Sequence, residues 1–123
     1  MKTVIFCFIL FFNNPNSLED LITSLEIRSS EEISNYFDSN SEIIINEKVS
    51  KGNKFQLTKT LDNFFTENNL IEFKIIHKGD SQNNIIYMLA EYSSNDDIYK
   101  VFLTLLKAEK KYIIQKFKID IRE

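Results

Sequence analysis

The spacing of the apolar residues changes once along this chain of 123 residues, near residue 70. Before that point apolar residues recur three and four positions apart, as on one face of a helix, and after it they alternate, as in strands. The alternating segments are separated by short polar linkers with the sequences GDSQNN, SSNDD and KAEKK. Such linkers suit antiparallel hairpins and are too short for parallel crossovers. The sequence therefore predicts an α+β fold, in which a helical layer covers an antiparallel sheet.

Three helix starts are indicated by capping patterns, in which a side-chain oxygen accepts a backbone N–H three positions later. The pairs are Ser17 with Asp20, Ser29 with Glu32 and Asn53 with Gln56. Each predicted helix carries an apolar stripe that we expect to lie in the core. The stripes are Leu18, Leu21, Ile22 and Leu25; Ile33, Tyr36 and Phe37; and Leu57, Leu61, Phe64 and Phe65.

A short strand is predicted at residues 42–46, and a four-strand meander at residues 71–78, 85–92, 98–107 and 112–121. The predicted order is helix, helix, strand, helix and then the meander. Straight alternation assigns faces in the first and last meander strands. It groups Ile71, Phe73, Ile75 and His77 on one face of the first, and Ile113, Gln115, Phe117, Ile119 and Ile121 on one face of the last.

The composition excludes several classes of site. Glycine occurs only at Gly52 and Gly79, whereas phosphate-binding loops need two or more glycines within a few residues. One cysteine and one histidine cannot supply the four ligands of a structural zinc site. The net charge of −3 lacks the basic excess typical of nucleic-acid-binding domains. The sequence therefore predicts no cofactor, no metal and no nucleic-acid partner.

The first 16 residues have the pattern of a signal peptide. Lys2 precedes an apolar run at residues 3–12, and polar residues 13–16 then interrupt any helix. Ten residues reach about 15 Å as a helix, which is too short for a stable membrane span, but this is the length of a signal-peptide core. No small-residue cleavage pattern is present, and the alternative is a buried N-terminal strand. We expect export to the periplasm or cell envelope, with residues 17–123 forming one domain that lacks Cys7 after cleavage.

The chain resembles domain-of-unknown-function family 4783 over about residues 17–121. The resemblance is carried by Gln56, Leu61, Phe64 and Phe65; by His77, Gly79 and Ser81 after Phe73 and Ile75; by Tyr87; by residues 99–105; and by Ile114, Gln115 and Ile119. It implies a small exported bacterial protein with an NTF2-like, cystatin-related fold, and it implies no activity. This sequence departs from the family where a glycine is usual near Asn84 and where an Asn-Gly turn is replaced by Asp96 and Asp97.

The resemblance also implies a cavity between the curled sheet and the first helix. Alternation places His77 and Gln115 as the polar residues of otherwise apolar inward faces, and Tyr36, Phe73 and Tyr87 complete the candidate pocket. Its ligand would be a small apolar or acidic molecule. Two interpretations of His77 remain open: a structural role at the strand end, which we favour, or a general base assisted by Asp80 or a tyrosine. The second interpretation predicts a small hydrolyase or isomerase, and the first a non-catalytic binding or assembly module.

The sheet has two apolar faces, whereas one helical layer covers only one. Residues 85–92 are apolar on both sides, with Ile86, Met88, Ala90 and Tyr92 alternating with Ile85, Tyr87 and Leu89, and further apolar area comes from Ile98, Phe102 and Leu106. We therefore expect a homodimer through the sheet face. The alternative is that lysine stems and the curl of the sheet cover these residues within a monomer.

Overall fold

A computed structural model describes residues 17–123. Its helices are α1 (Leu18–Ile27), α2 (Ser30–Ile33) and α3 (Lys54–Glu67), and a 3₁₀ turn (Ser34–Tyr36) directly follows α2. Its strands are β1 (Glu42–Ile45), β2 (Lys48–Lys51), β3 (Glu72–Asp80), β4 (Ile85–Ser93), β5 (Ile98–Ala108) and β6 (Lys111–Ile121). The predicted order is confirmed, with β2 as an added strand. The predicted signal segment lies outside the described residues.

All three helix starts are capped as predicted. The side chains of Ser17, Ser29 and Asn53 accept backbone N–H groups at 3.0, 3.2 and 2.9 Å, respectively. The second helix is shorter than its apolar stripe suggests, because α2 completes one turn before the chain tightens into the 3₁₀ turn. This places Tyr36 in the core, with 2% of its surface exposed.

The described strands form one mixed sheet in the order β2-β1-β6-β5-β4-β3. The meander β3 to β6 is antiparallel, as predicted, and β1 joins it parallel to β6. The unpredicted strand β2 pairs with β1 through a two-residue turn, Asn46 and Glu47, whose φ angles are 48° and 73°. Two consecutive left-handed residues match the twist of a hairpin.

The described helices pack on one face of the sheet, called here the covered face. The Tyr92 hydroxyl donates a 2.7 Å hydrogen bond to the Leu25 carbonyl in α1, and the Phe64 ring of α3 meets the Tyr99 ring edge-on, with centroids 5.2 Å apart. The buried side chains of the central strands on this face include Met88, Ala90, Val101, Leu103, Leu105, Phe117 and Ile119. The opposite side is called the outer face.

Two β-bulges change which residues face the core. In β3, Ile75 pairs with Ala90 but His77 pairs with Leu89, so Ile76 is an extra residue. An extra residue shifts the alternation by one position and moves every later side chain to the other face. Phe73 and Ile75 therefore lie on the covered face and His77 on the outer face. The prediction that His77 faces inward is wrong.

The second bulge lies in β6. Thr104 pairs with Lys116 and Leu105 with Ile114, which leaves Gln115 as the extra residue. As a result Ile114, instead of Ile113, is buried with Phe117, and Gln115 is exposed. The prediction that Gln115 faces inward is also wrong, because the bulge interrupts the alternation of faces along β6.

Candidate functional site

His77 lies exposed on the outer face, next to Tyr87 of the neighbouring strand. Nε2 of His77 is 3.3 Å from the Tyr87 hydroxyl oxygen, and the two ring centroids are 5.6 Å apart. Of the two partners expected for a His77 base, Tyr87 is within hydrogen-bond distance. Asp80 is not on the same side, because the pairing of Asp80 with Ile86 places it on the covered face.

Gly79 provides the space in which Tyr87 lies. The two residues are directly opposite each other, and a Cβ added at Gly79 would be 2.7 Å from the Tyr87 hydroxyl oxygen. A glycine on an edge strand leaves backbone uncovered, and an aromatic side chain from the next strand can cover it. Because β3 is an edge strand, the arrangement of His77, Gly79 and Tyr87 has a structural explanation.

The remaining candidates lie elsewhere. Phe73 is half-buried on the covered face, with its ring centroid 4.8 Å from that of Tyr92. Tyr36 is buried, and its hydroxyl donates to the Ser17 carbonyl at 3.2 Å. Burial, followed by the charges of Asp20 and Glu32, raises the pKa of Tyr36 to about 12. The five predicted pocket residues are thus divided between two faces of the sheet and do not form one site.

A groove of about 630 Å³ opens where the β3–β4 and β5–β6 hairpins meet the start of α1. We call it the hairpin-end groove. Its apolar lining includes Leu18, Ile85 and Ile86, and its charged lining residues are Lys78, Lys107 and Asp80. Within residues 17–123 neither lysine forms an ion pair. Straight alternation places Lys78 on the outer side of β3, so the groove was missed for the same reason that His77 was misplaced.

The outer face carries a band of apolar side chains across its central strands, called here the outer stripe. Leu89 is 39% exposed, and the other members are half-buried: Ile85, Tyr87, Phe102, Leu106 and Ile113. Leu89 is paired with Phe102, and Ile85 with Leu106. The members of each pair lie on adjacent strands, and Tyr87 lies between Leu89 and Ile85 along β4, so the stripe is continuous. The described helices pack on the other side of the sheet, so none of them covers it.

The described part of the chain contains neither a cluster of potential metal ligands nor a membrane-spanning helix. Between residues 17 and 123, no three His, Cys, Asp or Glu side chains are grouped as potential metal ligands. Over the same residues, every helix is too short or too polar to cross a membrane.

Comparison with known proteins identifies relatives of unknown function. The model of the family described as "Domain of unknown function (DUF4783)" matches residues 18–120. A DUF4783 protein structure from Bacteroides uniformis has 21% identity and a TM-score of 0.78, and the match covers 88% of this chain and 99% of that one. No curated protein matches.

Two further structures share the fold at lower identity. An NTF2-like protein of unknown function from Silicibacter pomeroyi has 13% identity and a TM-score of 0.63, covering 85% of this chain and 92% of that one. A protein of unknown function with a cystatin-like fold from Nostoc punctiforme has 13% identity and a TM-score of 0.62, covering 81% of each chain. These likenesses confirm the predicted NTF2-like, cystatin-related α+β fold. With the family model matching nearly the whole described region, the chain belongs to the DUF4783 family.

Proposed function

We propose that this domain is a non-catalytic assembly module that pairs with a second copy of itself through the outer face. The observation that carries the proposal is the outer stripe. Antiparallel sheets commonly keep one face polar, whereas here Leu89, Phe102 and Leu106 are only partly shielded on the face opposite the helices. Contiguous apolar surface of this kind usually marks an interface.

A second copy is the partner that fits the size and shape of this face. Four strands spaced about 4.8 Å apart, with four rows of outward side chains, give a flat area on the order of 500 Å². Side-chain relief increases the accessible area toward the roughly 800 Å² that each partner buries in a standard interface. A twofold pair places the same apolar patch against itself and closes the assembly at two copies.

The test compares two phenylalanine substitutions. Phe102→Glu puts a charge in the outer stripe and is expected to convert the dimer to a monomer, measured by size-exclusion chromatography with light scattering. Phe55→Glu is the matched control, because Phe55 is 74% exposed near the start of α3 and the change leaves the outer face intact. Equal masses for both variants would contradict the proposal, provided that circular dichroism confirms folding of each.

The hairpin-end groove supports a second candidate function, the binding of a small amphipathic anion. Lys78 and Lys107 outnumber Asp80 among the charged lining residues and would hold a carboxylate. Leu18, Ile85 and Ile86 would contact an apolar tail. The probe is dodecanoate in a thermal-shift titration, with dodecanol as the uncharged control. We expect dodecanoate to raise the melting temperature and dodecanol to leave it unchanged. The shift with dodecanoate should be lost in Lys78→Ala and kept in Lys59→Ala, which changes a lysine on α3. Equal shifts with both compounds would argue against the site.

The enzymatic alternative, a small hydrolyase or isomerase with His77 as general base, receives less support. Its only described side-chain partner within hydrogen-bond distance is Tyr87, and the ring is exposed to water. We expect the His77→Ala protein to remain folded and to show the same enzymatic turnover as the wild type. A turnover abolished by this substitution in a folded protein would replace the assembly proposal with catalysis.

We further propose that residues 1–16 direct export and that residues 17–123 form the mature domain. The charge, length and breaker pattern of the first 16 residues support this proposal. Cell fractionation of the full-length protein should place it in the periplasm or envelope, whereas Phe6→Asp, which breaks the apolar run, should retain it in the cytoplasm. Cytoplasmic location of both proteins would rule out export.

A further inference from the structure

Four charged side chains of the outer face lie in one row across the strands, with alternating sign. In the order of the strands from β6 to β3, Asp120 pairs with Lys100, Lys100 with Glu91, and Glu91 with Lys74. The row therefore reads negative, positive, negative, positive. It lies beside the outer stripe, two residues from Phe102 on β5 and from Leu89 on β4. We call it the charge row.

A row of four alternating charges is complementary to its own reverse. A twofold axis that runs along the strands, between β4 and β5, reverses the order of the strands in the second copy. Asp120 then faces Lys74 of the second copy, and Lys100 faces its Glu91. Every member of the row meets an opposite charge, as expected for electrostatically matched interfaces. Within one chain Asp120 also pairs with Lys118 at 3.8 Å, and Glu91 with Arg122 at 3.1 Å. Partly exposed pairs of this kind contribute about 0–1 kcal/mol, so both carboxylates are available to a second copy.

The same axis also matches the apolar rows. Phe102 faces Leu89 of the second copy, and Leu106 faces its Ile85, because each pair spans the same two central strands. Apolar side chains thus meet apolar side chains in the middle of the interface, and the charge row lies at one end. Lys116 and Lys118 of β6 lie at the margin of the apolar rows. Sheets that pack face to face in this way keep their strand directions within about 30° of each other.

The other twofold arrangement lacks this match. An axis across the strands would place the charge row of one copy over the row containing Ile85 and Leu106 of the other. Lys100 and Glu91 would then be buried against apolar side chains without new partners, which carries a large desolvation penalty. The distribution of charge therefore favours the axis along the strands over the axis across them.

We infer that two copies pack outer face to outer face about a twofold axis along the strands between β4 and β5, held in register by the charge row. This inference rests on the proposed assembly function. Its distinguishing contact is between Asp120 and Lys74 of different copies. Within one chain these residues lie on β6 and β3 with two strands between them, about 14 Å apart at ordinary strand spacing. A charge exchange between them can therefore report only a contact between copies.

The test mixes two variants of the full chain. Asp120→Lys alone places Lys against Lys74 at both ends of a homodimer, and Lys74→Asp alone places Asp against Asp120. Each substitution is expected to raise the homodimer dissociation constant about tenfold. In the equimolar mixture both contacts are again between opposite charges, so native mass spectrometry should find heterodimers well above the statistical half.

The control pair is Glu26→Lys mixed with Lys54→Asp, two exposed helix positions away from the outer face, for which random mixing is expected. A dimeric wild type that Phe102→Glu dissociates, combined with random mixing of Asp120→Lys and Lys74→Asp, would overturn this arrangement and leave the assembly proposal standing. A monomeric wild type would instead remove the assembly proposal itself.

Discussion

The Tyr87 ring lies over Gly79 on the outer face, so close that a Cβ at Gly79 would be 2.7 Å from the Tyr87 hydroxyl oxygen. The same hydroxyl oxygen is 3.3 Å from Nε2 of His77. Three residues that carry the family resemblance, His77, Gly79 and Tyr87, thus form one cross-strand contact at the edge of the sheet. The resemblance at these positions is explained by packing, and catalysis is not needed to account for it.

Gly79→Ala should displace the Tyr87 ring and lower the free energy of unfolding by about 1 kcal/mol. This value is at the low end of the usual cost of overpacking, because the ring can move aside. In a Tyr87→Ala background the same change should be nearly neutral. Urea unfolding of the four proteins in this double-mutant cycle measures the coupling. Additive effects would mean that the ring does not occupy the space over Gly79.

The left-handed turn between β3 and β4 gives a second prediction. Asn83 and Asn84 have φ angles of 64° and 63°, a conformation that glycine adopts without steric cost. Asn84→Gly should therefore keep or slightly raise stability, whereas Asn84→Val should lower it by about 1–2 kcal/mol. Thermal unfolding of both variants tests this, and equal melting temperatures would contradict the left-handed assignment. The glycine usual in the family near this position fits the same backbone requirement.

Much of the fold could be predicted from the sequence, because capping residues and apolar spacing act locally. Ser17, Ser29 and Asn53 cap helices as expected, and the meander strands lie where alternation places them. The strand β2 was missed because four residues with no buried side chain carry no periodic signal. Its turn at Asn46 and Glu47 offered a hairpin cue only through the asparagine.

The candidate site was predicted less well, and the cause is physical. Ile76 and Gln115 are bulge residues that each shift the alternation by one position, and no local residue preference marks them. The predicted inward pair, His77 and Gln115, therefore lies outside the core. Lys78 turns inward to the hairpin-end groove for the same reason. The uncovered apolar face could be predicted because it depends on the composition of β4 and β5, although which set of residues it contains depends on the register.

A hydrogen bond from the buried Tyr92 hydroxyl joins the sheet to α1. Tyr92→Phe removes the 2.7 Å hydrogen bond to the Leu25 carbonyl and should cost about 1 kcal/mol of unfolding free energy. The cost stays modest because that carbonyl also accepts the Arg28 N–H at 3.2 Å. Tyr99→Phe is the matched control, since its hydroxyl donates to the less buried Asn68 side chain at 2.8 Å, and a smaller loss is expected. Chemical denaturation measures the free energy of unfolding of both variants. A larger loss of stability in Tyr99→Phe than in Tyr92→Phe would contradict this prediction.

Alkaline pH should destabilise the fold through its buried tyrosines. Burial, followed by Asp20 and Glu32, raises the pKa of Tyr36 to about 12, and burial also raises the pKa of Tyr92. In the unfolded chain a tyrosine loses its proton near pH 10. The native state therefore holds more protons above pH 10, so this stability is complete below pH 10 and is lost progressively as the pH rises toward 12.

Urea titrations between pH 8 and pH 11.5 measure this loss. Tyr36→Phe should reduce the slope of stability against pH above pH 10 and leave the slope near neutral pH unchanged. A slope identical to that of the wild type would mean that Tyr36 does not contribute to the alkaline transition.

The central claim is that the outer face is an interface between two copies of this chain. Sedimentation equilibrium of the purified wild-type protein at micromolar concentration tests it most directly. We predict a mass twice that of one chain, falling to that of one chain only on strong dilution. A mass of one chain throughout the micromolar range would contradict the claim.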